Sequence, residues 1–123
     1  MKTLECHIHS YSLHNHFINL PEYDVFRFID HAKEMGFTGV NISANGPGYR
    51  NLGGSTADHF AKVKDYLEQQ NMAAELDTSD TSVPHMSDLL NVAKAIGAGT
   101  VRVYTRYQAS VDEMMKWTVA DLK

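Results

Sequence analysis

His7 and His9 stand one residue apart in Leu4 to His9, a stretch whose polar and apolar side chains alternate. In a strand, such neighbours point to the same side and bring both imidazoles to one cavity, the ligand spacing of metal-dependent phosphoesterases and amidohydrolases. The phosphoesterase pattern continues with Ser, an acidic residue and Gly, whereas here Ser10 leads into Tyr11, Ser12 and Leu13. Hydrogen-bonded histidines lining a polar interior are therefore expected ahead of an HxH metal-dependent hydrolase, and no metal ligand is assigned. Glu75 and Asp77 repeat the two-residue spacing. They either complete such a site or pair with Arg102, the cation expected on their side, because a polar group taken out of water needs a partner.

Further groups lie near these. His14 and His16, with Asn15 and Phe17, follow the first strand in an expected loop that grips a substrate or is simply solvated. Ser43 to Ser55 holds Gly46, Gly48, Gly53 and Gly54 around Pro47, Tyr49 and Arg50. A connection or lid is expected there, with a phosphate cradle at Gly53-Gly54-Ser55-Thr56 as the alternative. Asp77 to Val83 reads as a polar loop first and a sugar-hydroxyl contact second. Cys6 is expected to pack inertly under the helices. Trp117, Met114 and Met115 belong to core or interface.

The elements that must hold these residues are strands at Leu4 to His9, Gly39 to Ser43, Met72 to Asp77 and Thr100 to Tyr104. Period two divides them into faces. One face collects Glu5, His7, His9, Asn41, Ser43, Glu75, Asp77, Arg102 and Tyr104; the other collects Leu4, Cys6, Ile8, Val40, Ile42, Ala74, Leu76, Val101 and Val103. Helices follow each strand. Asp24 caps a helix carrying Val25, Phe28, Ile29, Ala32 and Met35, ended at Gly36. Thr56 opens a second with Ala57, Phe60, Val63 and Leu67, ended near Asn71; Met86, Leu89, Leu90, Ala93 and Ile96 form a third, closed by Gly97. Ser110 and Glu113 make a capping box ahead of Met114, Met115, Thr118 and Leu122. This last helix reaches Lys123 without a closing glycine, as expected of a chain cut within its fourth helix from something longer.

Strict alternation of strand and helix demands parallel neighbours. A doubly wound sheet is apolar on both faces of its central strands, and here one face is polar in all four. The expected fold class is therefore α/β, a parallel (β/α)4 half of a TIM-type barrel. At 123 residues and 43% hydrophobic content the chain can bury one core as a single domain over 1–123. A complete β/α barrel needs about 250 residues. The formal charge of -4, with scattered Lys and Arg, excludes nucleic acid and anionic membrane as expected partners. One cysteine excludes an internal disulfide, and no long apolar run or signal pattern opens the chain, so a cytoplasmic setting is expected.

Functional residues of such sheets gather at the C-terminal ends of the strands. That edge offers His9, Ser10, Tyr11, Ser43, Asn45, Asp77, Thr78, Tyr104, Thr105 and Arg106. The substrate-binding candidates are His7, His9, Tyr11, His14, Asn41, Ser43, Glu75, Asp77, Arg102 and Tyr104; no catalytic residue is assigned.

Ser10-Tyr11-Ser12-Leu13-His14, then Phe28 to Val40 (FIDHAKEMGFTGV), resembles the opening of the sugar phosphate isomerase/epimerase family with the xylose-isomerase-like barrel. Ala93 to Val103 (AKAIGAGTVRV) is similar to that family's fourth strand and the helix before it. The resemblance implies a barrel that binds a small sugar at its mouth, with Mn or Mg polarising the substrate and glutamates moving a proton between adjacent carbons. In that family the metal ligands lie on strands five to eight, so neither metal nor catalytic glutamate transfers to this chain. Two strand edges would be left bare, which leads to an expected homodimer or a second-half chain completing the barrel. A non-catalytic sugar-binding or self-assembling module is the alternative.

Overall fold

A computed structural model describes residues 4–46, 49 and 51–123. Of the glycine-rich connection considered above, Pro47, Gly48 and Arg50 lie outside the described residues. The elements run β1 (His7–His9), a 3-10 turn (Ser10–Leu13), α1 (His14–Asn19), α2 (Val25–Glu34), β2 (Gly39–Ser43), α3 (Ala57–Gln70), β3 (Ala73–Thr78), α4 (Val83–Ile96), β4 (Thr100–Val103) and α5 (Val111–Asp121). The fold is α/β, with a parallel sheet of order β1-β2-β3-β4 alternating with helices.

This strand order never reverses. Because β-α-β crossovers are right-handed, successive crossovers in one direction lay their helices on one face. Accordingly α2 packs on α3, and α3 on α4. Beneath them Val40, Ile42, Ala74 and Leu76 from the sheet meet Phe28, Ile29, Val63, Leu89 and Ile96 in one buried cluster. The expected apolar face is thus found in β1 to β3. Burying one such aliphatic or aromatic side chain contributes about 1.5–3 kcal/mol, which is why the amphipathic pattern dictates the layer.

Helix ends follow their local chemistry. Asp24 accepts from the Arg27 amide at 2.9 Å, and Thr56 from the His59 amide at 3.2 Å. Asn71 and Gly97 close α3 and α4 in the left-handed region, with φ of 53° and 75°.

Five expectations need correction. The first strand is shorter than Leu4 to His9: Leu4 is 85% exposed and Cys6 is exposed rather than packed under helices. An edge strand has a neighbour on one side only, and here the Cys6 amide donates to the Thr38 hydroxyl and its carbonyl accepts from the Thr38 amide, both at 2.9 Å, ahead of the strand proper. Met72 precedes β3, where its amide closes the end of α3 on Leu67, and β4 ends at Val103, one residue short of Tyr104. His14 and His16 lie in α1, not in a loop. Leu90 is 55% exposed and Val92 takes its place in the core, because Leu90 is one step, about 100°, around α4 from the buried Leu89. In α5 the capping box forms as expected, yet no residue is buried and Met115 is 62% exposed. Its ties to the body include an edge contact between Tyr107 and Trp117 and hydrogen bonds to Asp121 from Thr81 and Tyr107. Among the described residues no helix is long and apolar enough to cross a membrane.

Candidate functional site

Residues paired across a parallel ladder project to the same side, so the register sorts the polar face into rows. His7, Gly39 and Ala73 form one row, His9, Asn41, Glu75 and Thr100 the next, and Ser43, Asp77 and Arg102 the third. In the first row glycine is a steric requirement: a Cβ on Gly39 would stand 2.6 Å from His7 Cδ2 and 2.8 Å from the Ala73 carbonyl oxygen. The His7 ring therefore lies over Gly39, which brings its Nδ1 to 3.5 Å from Glu75 Oε1. Asn41 Nδ2 donates to the other oxygen of Glu75 at 3.2 Å.

Asp77 anchors the third row. Its side chain is 1% exposed, and its Oδ2 accepts from Arg102 Nη2 at 2.7 Å. His9 Nε2 lies 2.9 Å from the same oxygen, off the line of a straight hydrogen bond. The His9 ring is oriented by its other nitrogen: Nδ1 accepts from the Tyr11 amide at 2.9 Å, which in the neutral imidazole leaves the proton on Nε2, facing Asp77. The bond to Asp77 raises the Arg102 guanidinium above its ordinary value. Asp77 Oδ1, Asn41 Oδ1 and His7 Nε2 are buried without a hydrogen-bond partner. Three strands thus aim unsatisfied polar atoms from one face, where an unmade hydrogen bond costs about 1–3 kcal/mol each.

Above this row the connections form a rim. Ser10 Oγ accepts from the Ser43 amide at 3.0 Å and from Asn51 Nδ2 at 2.7 Å, which pins the β2–α3 connection across the top of β1. Leu52 is fully buried beside it, and its carbonyl meets His59 Nε2 at 2.6 Å. Asn45 Oδ1 accepts from the Ser79 amide and hydroxyl, both at 3.0 Å, and ties the β2 and β3 edges together. The segment after β3 is a short polar connection, folded inward at one point: Thr81 is buried, as is Thr78 at the end of β3, and Asp80 accepts from the Ser82 amide at 2.9 Å. That bond lowers the Asp80 carboxyl below its ordinary value.

These groups enclose a cavity of about 550 Å³. Of the substrate-binding candidates, His9, Tyr11, His14, Ser43, Asp77, Arg102 and Tyr104 line it. His7, Asn41 and Glu75 do not line it; they occupy the rows nearer the start of the strands, on the same face. Glu5 lies in a separate depression with Lys33 and Phe37. His14 stacks on Tyr11 with ring centroids 5.3 Å apart, while His16 turns away to pack on Tyr23 and His31. Asn45 and Arg106, edge residues in the sequence, also line the cavity. Asn51 lines it too and carried no signal, since nothing local distinguishes it from any other loop asparagine.

Among the described residues no three of His, Cys, Asp and Glu come together in an arrangement that holds a metal ion. The spacing of His7 and His9 puts them on one face, yet each turns to its own carboxylate on β3. The guanidinium of Arg102 on Asp77 further opposes a cation at that oxygen. Among the described residues, therefore, no donor set fits the Mn or Mg implied by the family resemblance. Comparison with models of known protein families and with curated proteins finds no match to the chain.

Proposed function

We propose that this chain is the polyol-binding first half of a β/α barrel of the sugar isomerase and epimerase type. One observation carries the reading: β1, β2, β3 and β4 each send polar side chains to a single cavity floored by the buried Asp77 carboxylate and its partner Arg102. The cavity suits a small sugar. Ser43, Asn45, Asn51 and the unpartnered Oδ1 of Asp77 offer hydroxyl partners of both senses, while the Tyr11–His14 stack and Tyr104 give flat walls for C–H faces.

The half-barrel part of the reading is supported by the unreversed strand order, the single helix layer and the polar opposite face. A closed barrel has eight strands, and among the described residues β1 and β4 each pair on one side only. A second copy or a second-half chain is the partner this reading requires. Within such an assembly these residues bind and orient the sugar; the proton transfer between carbons belongs to groups this half does not carry.

The test follows ketose-to-aldose exchange with Mn or Mg, by the chain alone and with a candidate second-half chain. Exchange only in the combined sample supports the reading, and sugar binding without exchange in either favours the non-catalytic module. Absence of any sugar binding sinks both. Sedimentation of the chain alone is expected to show dimers; a compact monomer with a cooperative melt would remove the self-assembly branch.

A further inference from the structure

α5 departs from the pattern of the other crossover helices. α2, α3 and α4 lie together on the apolar face, whereas among the described residues α5 forms no extended contact with α4 or with any strand, and none of its residues is buried. Its end is held instead at the C-terminal edge of the sheet. Asp121 Oδ2 accepts from the Thr81 hydroxyl at 2.8 Å and from the Tyr107 hydroxyl, and Trp117 stands edge-on to Tyr107. Thr81 is buried just after β3, so this latch fixes α5 beside the cavity mouth: Arg106 lines both the cavity and the depression next to Thr81 and Tyr107.

Two apolar surfaces are bare as a result. On α5, Val111, Met115, Val119 and Leu122 recur at steps of four, four and three and form one stripe, each of them 47–66% exposed. On α4, Val83 and Leu90 share one side of the helix, seven positions apart, and are 59% and 55% exposed. Asp88 lies on the opposite side of α4. Burial and the Asp88 charge raise the Tyr49 phenol above its ordinary value, which sets that side toward the β2–α3 connection. The Val83–Leu90 side therefore looks away from α3, to the flank of β4, where Val101 and Val103 are only half-buried. Only the connection from Tyr104 to Ser110 separates β4 from α5. A helix turning back from β4 as α2, α3 and α4 turn back from their strands would lie beside α4 on that flank, because the strand order is unreversed.

We propose that α5 is a two-position arm, latched through Asp121 at the cavity rim in this structure and, on release, seated by its apolar stripe along α4 and β4 of its own chain. The opposing contributions are of similar size. Two hydrogen bonds to a carboxylate hold the latch, and burial of the stripe against Val83, Leu90, Val101 and Val103 favours the seat. Release also carries Trp117 away from Tyr107, so the position of the arm sets how open the rim is. This goes beyond the polyol reading and holds whatever the cavity binds.

Disulfide trapping in the full chain tests it, on a Cys6→Ser background with Leu90→Cys joined to either Met115→Cys or Val119→Cys; all four positions are exposed. Under mild oxidation at least one pair should close within a single chain, about tenfold or more faster once Asp121→Ala is added, the effect expected for loss of a charge-assisted hydrogen bond. Asp121→Asn keeps an acceptor oxygen and should fall between. Val111→Glu, added to the released arm, should slow closure again, because the seat is apolar. Closure that Asp121→Ala does not accelerate removes the latch. Closure indifferent to Val111→Glu reports free motion without a seat and overturns the proposal. Cross-links that form only between chains, seen as dimers on a denaturing gel, assign the stripe to a second copy and overturn it equally.

Discussion

Asp77 and Arg102 face each other across β3 and β4 with Oδ2 and Nη2 2.7 Å apart, the carboxylate 1% exposed and the guanidinium 58% exposed. The pair is one-sided: the anion is taken out of water while the cation keeps much of its hydration. Loss of the cation strands a buried charge, whereas loss of the anion frees a solvated one.

Arg102→Ala is therefore expected to destabilise the fold by about 2–3 kcal/mol, as judged from urea unfolding. Adding Asp77→Asn should recover most of that loss, because a neutral amide needs no counter-charge. Equal destabilisation by the single and the double variant would mean that the pair contributes through packing alone.

Gly39→Ala and Gly99→Ala separate steric need from backbone freedom. A Cβ at Gly39 meets both His7 and the Ala73 carbonyl, and one at Gly99 has nothing within 4 Å. The first substitution should cost about 2 kcal/mol or more and the second should stay within about 0.5 kcal/mol. Removing His7 as well should not restore the first, since the Ala73 oxygen remains 2.8 Å from the new methyl group. Thermal melts of the three variants check the order.

Asn51→Ala removes the bond that ties the β2–α3 connection to Ser10 at 2.7 Å. A loss of about 1–2 kcal/mol is expected, with faster hydrogen exchange at the Ser43 amide, which shares the Ser10 hydroxyl. Amides of α4 should exchange as before. Sugar binding should weaken in the same variant, because the rim over β1 is no longer fixed.

Tyr66 on α3 donates to Asp30 on α2, and that hydrogen bond, together with burial and the carboxylate charge, raises the phenol above its ordinary 10.0. A folded-state value above the unfolded one gives stability that is whole below pH 10.0 and is lost as pH climbs through the raised value. Tyr66→Phe should cost about 1 kcal/mol or less at neutral pH. The two proteins should converge in urea midpoint as the solution is made alkaline, and a gap that widens with pH would contradict the assignment.

Alternation was enough to assign the faces of β1 to β3, though not of Leu4 and Cys6 ahead of β1, and cap chemistry at Asp24, Thr56, Gly97 and Ser110 was enough to mark helix ends. Such signals survive in sequence because period two, the i to i+3 cap and a left-handed stop are all written within a few neighbouring residues. Which partner each polar group takes is not local. Arg102 had Glu75 and Asp77 as equal candidates, and the β3–β4 register, which sets Asp77 opposite Arg102 and Glu75 opposite Thr100, chose between them. Asn51 reaches Ser10 across 41 positions of chain, and His14 joins the cavity while His16 leaves it because α1, unmarked by any cap, turns the two apart. The fate of α5 was equally hidden: an amphipathic stripe says that a helix has an apolar side, and only the packed structure shows whether anything lies against it.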